Sequence, residues 1–140
     1  MKKGRHDMRV VPELLVSNVD ESTSFFVNIL GFQLLYERPE ERFVYLSLSG
    51  VDLMLEELSS SNRQWITADL NAPFGRGINF QWDVENIDEL YTRVSKLAPG
   101  TIHLALESKE YLCGTELALQ KQFIVQAPDG YLFRFCQEDR

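Results

Sequence analysis

Along the first half of the chain the spacing of apolar residues changes from two to about 3.6 and back. The stretch "VVPELLVSNVD" predicts a strand from Val10 to Val16 that ends in a polar turn. The run "STSFFVNILGF" then places Phe25, Phe26, Ile29 and Leu30 on one helical stripe. Asp20 is expected to cap this helix, because a carboxylate there can accept from the free amides of the first turn. Gly31, free to adopt positive φ, is expected to stop it. Three β-type segments follow, "FQLLYERP", "RFVYLSLSG" and "VDLMLEEL", separated by a polar turn at Pro39–Glu41 and by Ser49-Gly50.

The second half repeats that order. "GINFQWDVEN" reads as a strand, and Asn86 with Glu89 three residues later has the pattern of a capping box. Ile87, Leu90, Tyr91, Val94 and Leu97 form the apolar stripe of a second helix ending at "APG", followed by the strands "TIHLALES", "KQFIVQAP" and "YLFRFCQ". Strand, helix, strand, strand, strand therefore occurs twice, and such internal repetition is the main organisational signal of the chain. The expected arrangement is one domain over 1–140, with module one about 10–58, a linker about 59–77 and module two about 78–137. The linker, "SSSNRQWITADLNAPFGRG", is long for a structureless connection and carries Trp65 and Phe74, so it is expected to act also as a lid. A second irregular stretch, "SKEYLCGTELALQ", is expected between strands six and seven.

Composition narrows the function classes. With 44% apolar residues in 140, the chain can bury a sizeable core, and no apolar run has the length of a bilayer span. The start shows no secretory signal pattern, so the expected compartment is the cytoplasm. Cys113 and Cys136 form neither a metal motif nor a disulfide framework. A formal charge of −7 argues against nucleic acid as a partner and suits a cationic one. There is no phosphate-binding glycine loop and no Ser or Cys nucleophile with a histidine candidate beside it. His6 falls in the N-terminal tail and His103 on a strand rim.

Two such modules in one short chain resemble the vicinal-oxygen-chelate superfamily of glyoxalases, bleomycin-resistance proteins and extradiol dioxygenases. The residues that carry the resemblance are "LLVSNVDESTSFFVNILGF", "VDLMLEEL", "FQWDVENIDELY" and "APDGYLFRFCQ", in that order. The resemblance implies an α+β fold in which two tandem βαβββ modules form a curved mixed-sheet cup. Period-two alternation then turns Val11, Glu13 and Leu15, Met54 and Glu56, Asn79, Gln81 and Asp83, and Leu132, Arg134 and Cys136 into the cup, with Phe80, Trp82, Phe133 and Phe135 in the core.

Enzymes of the superfamily hold a divalent metal with one ligand from each of four strands. Their positions map here to Val11, to Met54 or Glu56, to Asn79 and to Arg134. Valine cannot coordinate, and a guanidinium brings positive charge and no lone pair. The expectation is therefore no catalytic residue, no metal and no cofactor, with Glu13 or Glu56 pairing with Arg134, because an unpaired buried charge is costly. The resemblance is closest to the bleomycin-resistance branch, whose members sequester a cationic glycopeptide antibiotic, as dimers, in clefts lined by both subunits. It implies a homodimeric small-molecule binder acting in antibiotic resistance. The expected ligand contacts are Glu13, Tyr45, Met54, Glu56, Trp65, Phe74, Asn79, Gln81, Asp83 and Arg134. The alternative is a metal-dependent lyase, dioxygenase or thiol transferase with a shifted ligand set and a divalent metal.

Overall fold

The computed structural model describes residues 8–139. His6 lies outside them. The first sheet is built by β1 (Glu13–Val16), β2 (Gln33–Arg38), β3 (Phe43–Leu48) and β4 (Val51–Glu57), with α1 (Val19–Ser24) between β1 and β2. The second is built by β5 (Asn79–Asp83), β6 (Ile102–Cys113), β7 (Glu116–Gln126) and β8 (Leu132–Asp139), with α2 (Ile87–Leu97) between β5 and β6. Both sheets are open and four-stranded, in the orders β1-β4-β3-β2 and β5-β8-β7-β6. Each helix carries the chain from one edge of its sheet to the other. Two tight turns then bring it back, so that the last strand lies parallel to the first while the other pairs are antiparallel. This is the α+β architecture expected from the repeat.

The helix starts differ in detail from expectation. The cap of α1 is Asn18, whose side chain accepts from the Glu21 amide at 3.0 Å. Asp20 lies one residue inside the helix and is drawn to Arg42 instead, at 3.0 Å. Asn86 caps α2 as expected, accepting from the Glu89 amide at 3.1 Å. Beyond Ser24 the first helix widens into a π-helical turn over Phe25–Ile29, with the Leu30 amide donating to the Phe25 carbonyl. Gly31 leaves it at φ +86°, as the sequence predicts.

Alternation sorts the strand residues into two sets. Leu14, Val16, Val44, Leu46, Leu53 and Leu55 of the first sheet, and Trp82, Phe123, Val125, Phe133 and Phe135 of the second, belong to one hydrophobic core together with both helices. The modules meet through those helix-bearing faces. Phe26 of the π-helical turn packs edge-on against Phe133 of β8 at 5.1 Å between centroids, and Phe32 lies tilted against Trp82 at 5.2 Å. Polar contacts close the same seam. The Trp82 indole donates to the Leu48 carbonyl (3.0 Å), and Arg93 donates to the Ile29 and Leu30 carbonyls at the open end of the first helix (2.9 and 3.2 Å). Ser17 donates to the Asp129 carboxylate through its amide and its hydroxyl, at 2.9 and 2.6 Å. In the turn after Asp129, Gly130 sits at φ +120° with its Cα pressed on Pro73 and the Phe74 amide, where a Cβ would collide.

The stretch "SKEYLCGTELALQ" is a correction: it is strand, not loop. β6 and β7 continue through it as a hairpin closed by Gly114 and Thr115, with Cys113 opposite Glu116. Its tip exposes Leu112 and Leu117 and is rich in polar residues, and of the stretch 108–120 only Ala118 is buried, too little for alternation to report.

Tyr131 provides a direct test of the seam. Its buried hydroxyl donates to the Leu15 carbonyl at 2.8 Å, and desolvation, with the Asp129 charge second, pushes its pKa from 10.0 up to about 12. The fold therefore favours the neutral phenol. That contribution is complete below the unfolded value of 10.0 and is lost as pH rises toward about 12. Tyr131→Phe is expected to lower stability by about 1 kcal/mol in urea titrations at neutral pH and to flatten the loss of stability above pH 10.0.

Candidate functional site

The face of each sheet that turns away from the helices carries the residues singled out from the sequence. On the first sheet they form two cross-strand rows. Glu13, Met54, Tyr45 and Tyr36 stand side by side across β1, β4, β3 and β2, and next to them Leu15, Glu56, Phe43 and Arg38. Tyr36 stacks on Tyr45 at 4.8 Å and 12°, and the Arg38 guanidinium lies 3.8 Å above the Phe43 ring. The Tyr45 hydroxyl donates to Asp52 at 2.7 Å, which, with burial second, raises its pKa. The result is an aromatic wall beside two carboxylates.

The carboxylates differ in setting. Glu56 is only 6% exposed, and its carboxylate accepts from the side-chain amide of Gln64 at 2.5 Å. Gln64 comes from the linker, which it pins by donating also to the Glu57 carbonyl (2.9 Å) and accepting from the Ser59 amide (3.1 Å). Glu13 reaches solvent, yet its pKa is raised, first by desolvation, then by the charge of Glu56, with Arg38 pulling the other way.

On the second sheet, Gln81, Arg134 and Ile124 share one row across β5, β8 and β7. Asp83, Cys136 and Gln122 share the next, which Glu107 extends on β6. Arg134 donates from Nε to the Asn79 side-chain oxygen (3.2 Å) and from Nη1 to that of Gln122 (3.4 Å). This corrects the expected pairing with Glu13 or Glu56: among the described residues no carboxylate forms an ion pair with Arg134. The reason is topological. Arg134 sits on an inner strand of its own sheet, and the neighbours at its register are amides and an aliphatic, while both glutamates belong to the other sheet. Burial pushes the Cys136 thiol up to about 11 against the pull of Arg134, so it stays protonated and unreactive at neutral pH.

Glu13, Tyr45, Met54 and Glu56 therefore come together on one face, and Asn79, Gln81, Asp83 and Arg134 on the other. The linker aromatics part company. Trp65 is 74% exposed under Arg63, whose guanidinium is 5.2 Å from its ring. Phe74 is instead buried in the core against Tyr131, with centroids 6.1 Å apart, so it offers no free face to a ligand. His103 is exposed on the edge strand β6. Tyr36, Arg38, Gln64, Gln122 and Glu107 were not among the sequence candidates. Carrying the alternation of β8 and β4 outward to their neighbours would have found four of them, but no periodic signal marks Gln64.

Among the described residues no group of three or more His, Cys, Asp or Glu side chains could hold an ion. Of the four mapped positions, Val11, just before β1, is aliphatic, the second offers the Met54 thioether or the Glu56 carboxylate held by Gln64, Asn79 is engaged by Arg134, and Arg134 is itself a cation. Among the described residues no helix is long and apolar enough to cross a membrane.

Known proteins resemble this chain in sequence and in fold. A bleomycin resistance protein of Geobacillus stearothermophilus is 27% identical over 139 residues, covering 94% of this chain and 97% of its own. The solved structure of TioX from Micromonospora sp. ML1 is similar at a TM-score of 0.66 and 21% identity, over 93% of this chain and 98% of that one. A superfamily member from Vibrio splendidus 12B01 is 54% identical, over 94% of this chain and 98% of that one, with a TM-score of 0.46. Residues 9–135 match the family described as the Glyoxalase/Bleomycin resistance protein/Dioxygenase superfamily, and the chain belongs to it.

Proposed function

We propose that this protein is a metal-free, non-enzymatic binder of a planar, cationic small molecule, which it sequesters as a homodimer. One observation carries the reading. The helix-free face of the first sheet sets the Glu13 and Glu56 carboxylates on the same face as Tyr36, whose ring is 49% exposed and is backed by the buried, stacked ring of Tyr45. Flat rings accept a planar ligand by stacking, and carboxylates beside them take its cationic end. Glu56, largely buried and met only by a neutral amide, has more to gain from a cationic donor than from Gln64, since charge-assisted hydrogen bonds are roughly twice as strong as neutral ones. The net charge of −7 favours the approach of such a ligand. Bleomycin, named by the relatives at 27% identity, is the first ligand to test.

A homodimer is proposed on the same geometry. Each helix-free face is half a cleft, and β2 and β6 are edge strands whose neighbourhoods expose Leu34, Leu35, Leu112 and Leu117. A second copy covers such surface and supplies the other wall of the cleft. Sedimentation equilibrium is expected to give twice the chain mass of 16.2 kDa. A monomer at tens of micromolar would refute the shared cleft.

Calorimetry with bleomycin is expected to show saturable binding and stoichiometric protection of DNA from the drug. Glu56→Gln is expected to weaken it by about tenfold or more, the cost of one charge-assisted contact. Because Glu13 keeps its proton above the ordinary value of 4.5, affinity should begin to fall on acidification before unperturbed glutamates titrate. Tight, near-stoichiometric divalent metal in the purified protein, lost in Glu56→Ala, would overturn the metal-free reading.

A further inference from the structure

Arg134 is half-buried, yet both of its partners are neutral. Of the five N–H donors a guanidinium carries, Nε serves Asn79 and one Nη1 hydrogen serves Gln122. The remaining Nη1 and Nη2 hydrogens have no acceptor among the described residues. The partners hold the side chain in a set direction. Gln122 is 5% exposed, and its amide cannot turn freely: its nitrogen donates to the Glu107 carboxylate at 2.8 Å, which commits its oxygen to Arg134 and to the Gln120 amide. The two acids of the adjacent cross-strand row are engaged elsewhere, Glu107 with Gln122 and Asp83 with the Gln81 amide at 3.3 Å. Leu132 and Ile124, both half-buried, flank the guanidinium on the same face, one two residues before it on β8 and the other opposite it on β7.

A cation fixed in direction, short of a counter-charge and edged by aliphatic side chains is matched by one chemistry. A planar carboxylate accepts two parallel N–H bonds from the free fork of an arginine. We propose that the helix-free face of the second sheet is a carboxylate subsite, in which Arg134, aimed by Asn79 and Gln122, takes a carboxylate whose apolar body lies along Leu132 and Ile124. The inference rests on the reading above only in treating the helix-free faces as ligand surfaces, and it adds an anionic group to the chemistry of the ligand.

The test is calorimetric titration of the full chain with sodium benzoate, and with inorganic phosphate and benzylammonium for comparison. Benzoate is expected to bind, and more tightly than either of the others. Arg134→Gln is expected to weaken benzoate by at least about tenfold. Asn79→Asp places an internal carboxylate where the amide oxygen now lies 3.2 Å from Nε. It is expected to melt no lower than the parent and to lose benzoate binding to a similar degree, which a purely structural role for Arg134 does not predict. Benzoate binding that is absent up to tens of millimolar, or unchanged in both variants, sinks the subsite. Tighter binding of phosphate sinks the carboxylate assignment. With bleomycin titrated on the same preparations, loss of drug binding with benzoate retained counts against the first face alone, and the converse against this one alone.

Discussion

Phe133 is fully buried, and the rings of Phe26, Phe80 and Trp82 surround it at centroid distances of 5.1, 5.3 and 5.9 Å. Phe26 comes from the other module. This cluster fixes which face of each sheet is spent on cohesion. Aromatic side chains of this size contribute several kcal/mol each when buried, so β8 cannot rotate to present its alternate residues inward. Arg134 and Cys136 are therefore held on the opposite side by their neighbours in sequence, and through the parallel pairing of β5 with β8 so are Gln81 and Asp83. The same constraint acts in the first sheet, where Leu53 and Leu55 go inward and Met54 and Glu56 outward.

Two faces of opposite character result, one acidic and aromatic, the other centred on a guanidinium. They lie on different sheets of the chain, and no hydrogen bond or ion pair joins Glu13 or Glu56 to Arg134 among the described residues. Glu56 and Arg134 are instead each met locally by amides, Gln64 for Glu56 and Asn79 and Gln122 for part of the Arg134 donor set. Neutral amides are weaker partners than counter-ions, yet good enough to keep partly buried charges tolerable.

Much of this was legible from residue spacing. Period-two alternation placed Phe133, Phe135 and Trp82 in the core and Arg134 opposite them, and the repeated strand-helix-strand order led to the right fold. Where reading failed, the determinant was not periodic. Asp20 and Asn18 are both good caps, and the choice between them depends on Arg42, brought near by β3 and β4. Phe74 looked like a free aromatic in a polar loop because its partner, Tyr131, lies far along the chain. Gln64 matters only because the linker returns across β4, and no local pattern reports a return path. The outer part of the β6–β7 hairpin buries little beyond Ala118, so its sequence carries no strand rhythm.

Glu107 forms no hydrogen bond or ion pair with Arg134 among the described residues, yet it sets the orientation of the amide beside that cation. By taking the nitrogen of Gln122 it leaves the oxygen pointing inward along the sheet. An amide is nearly symmetric in shape and opposite in sign at its two ends, so turning it over would put a donor against a donor. One carboxylate on an edge strand thus acts as a latch on the electrostatic sense of a surface two strands away. Without this carboxylate the amide would be free to turn its donor end toward Arg134.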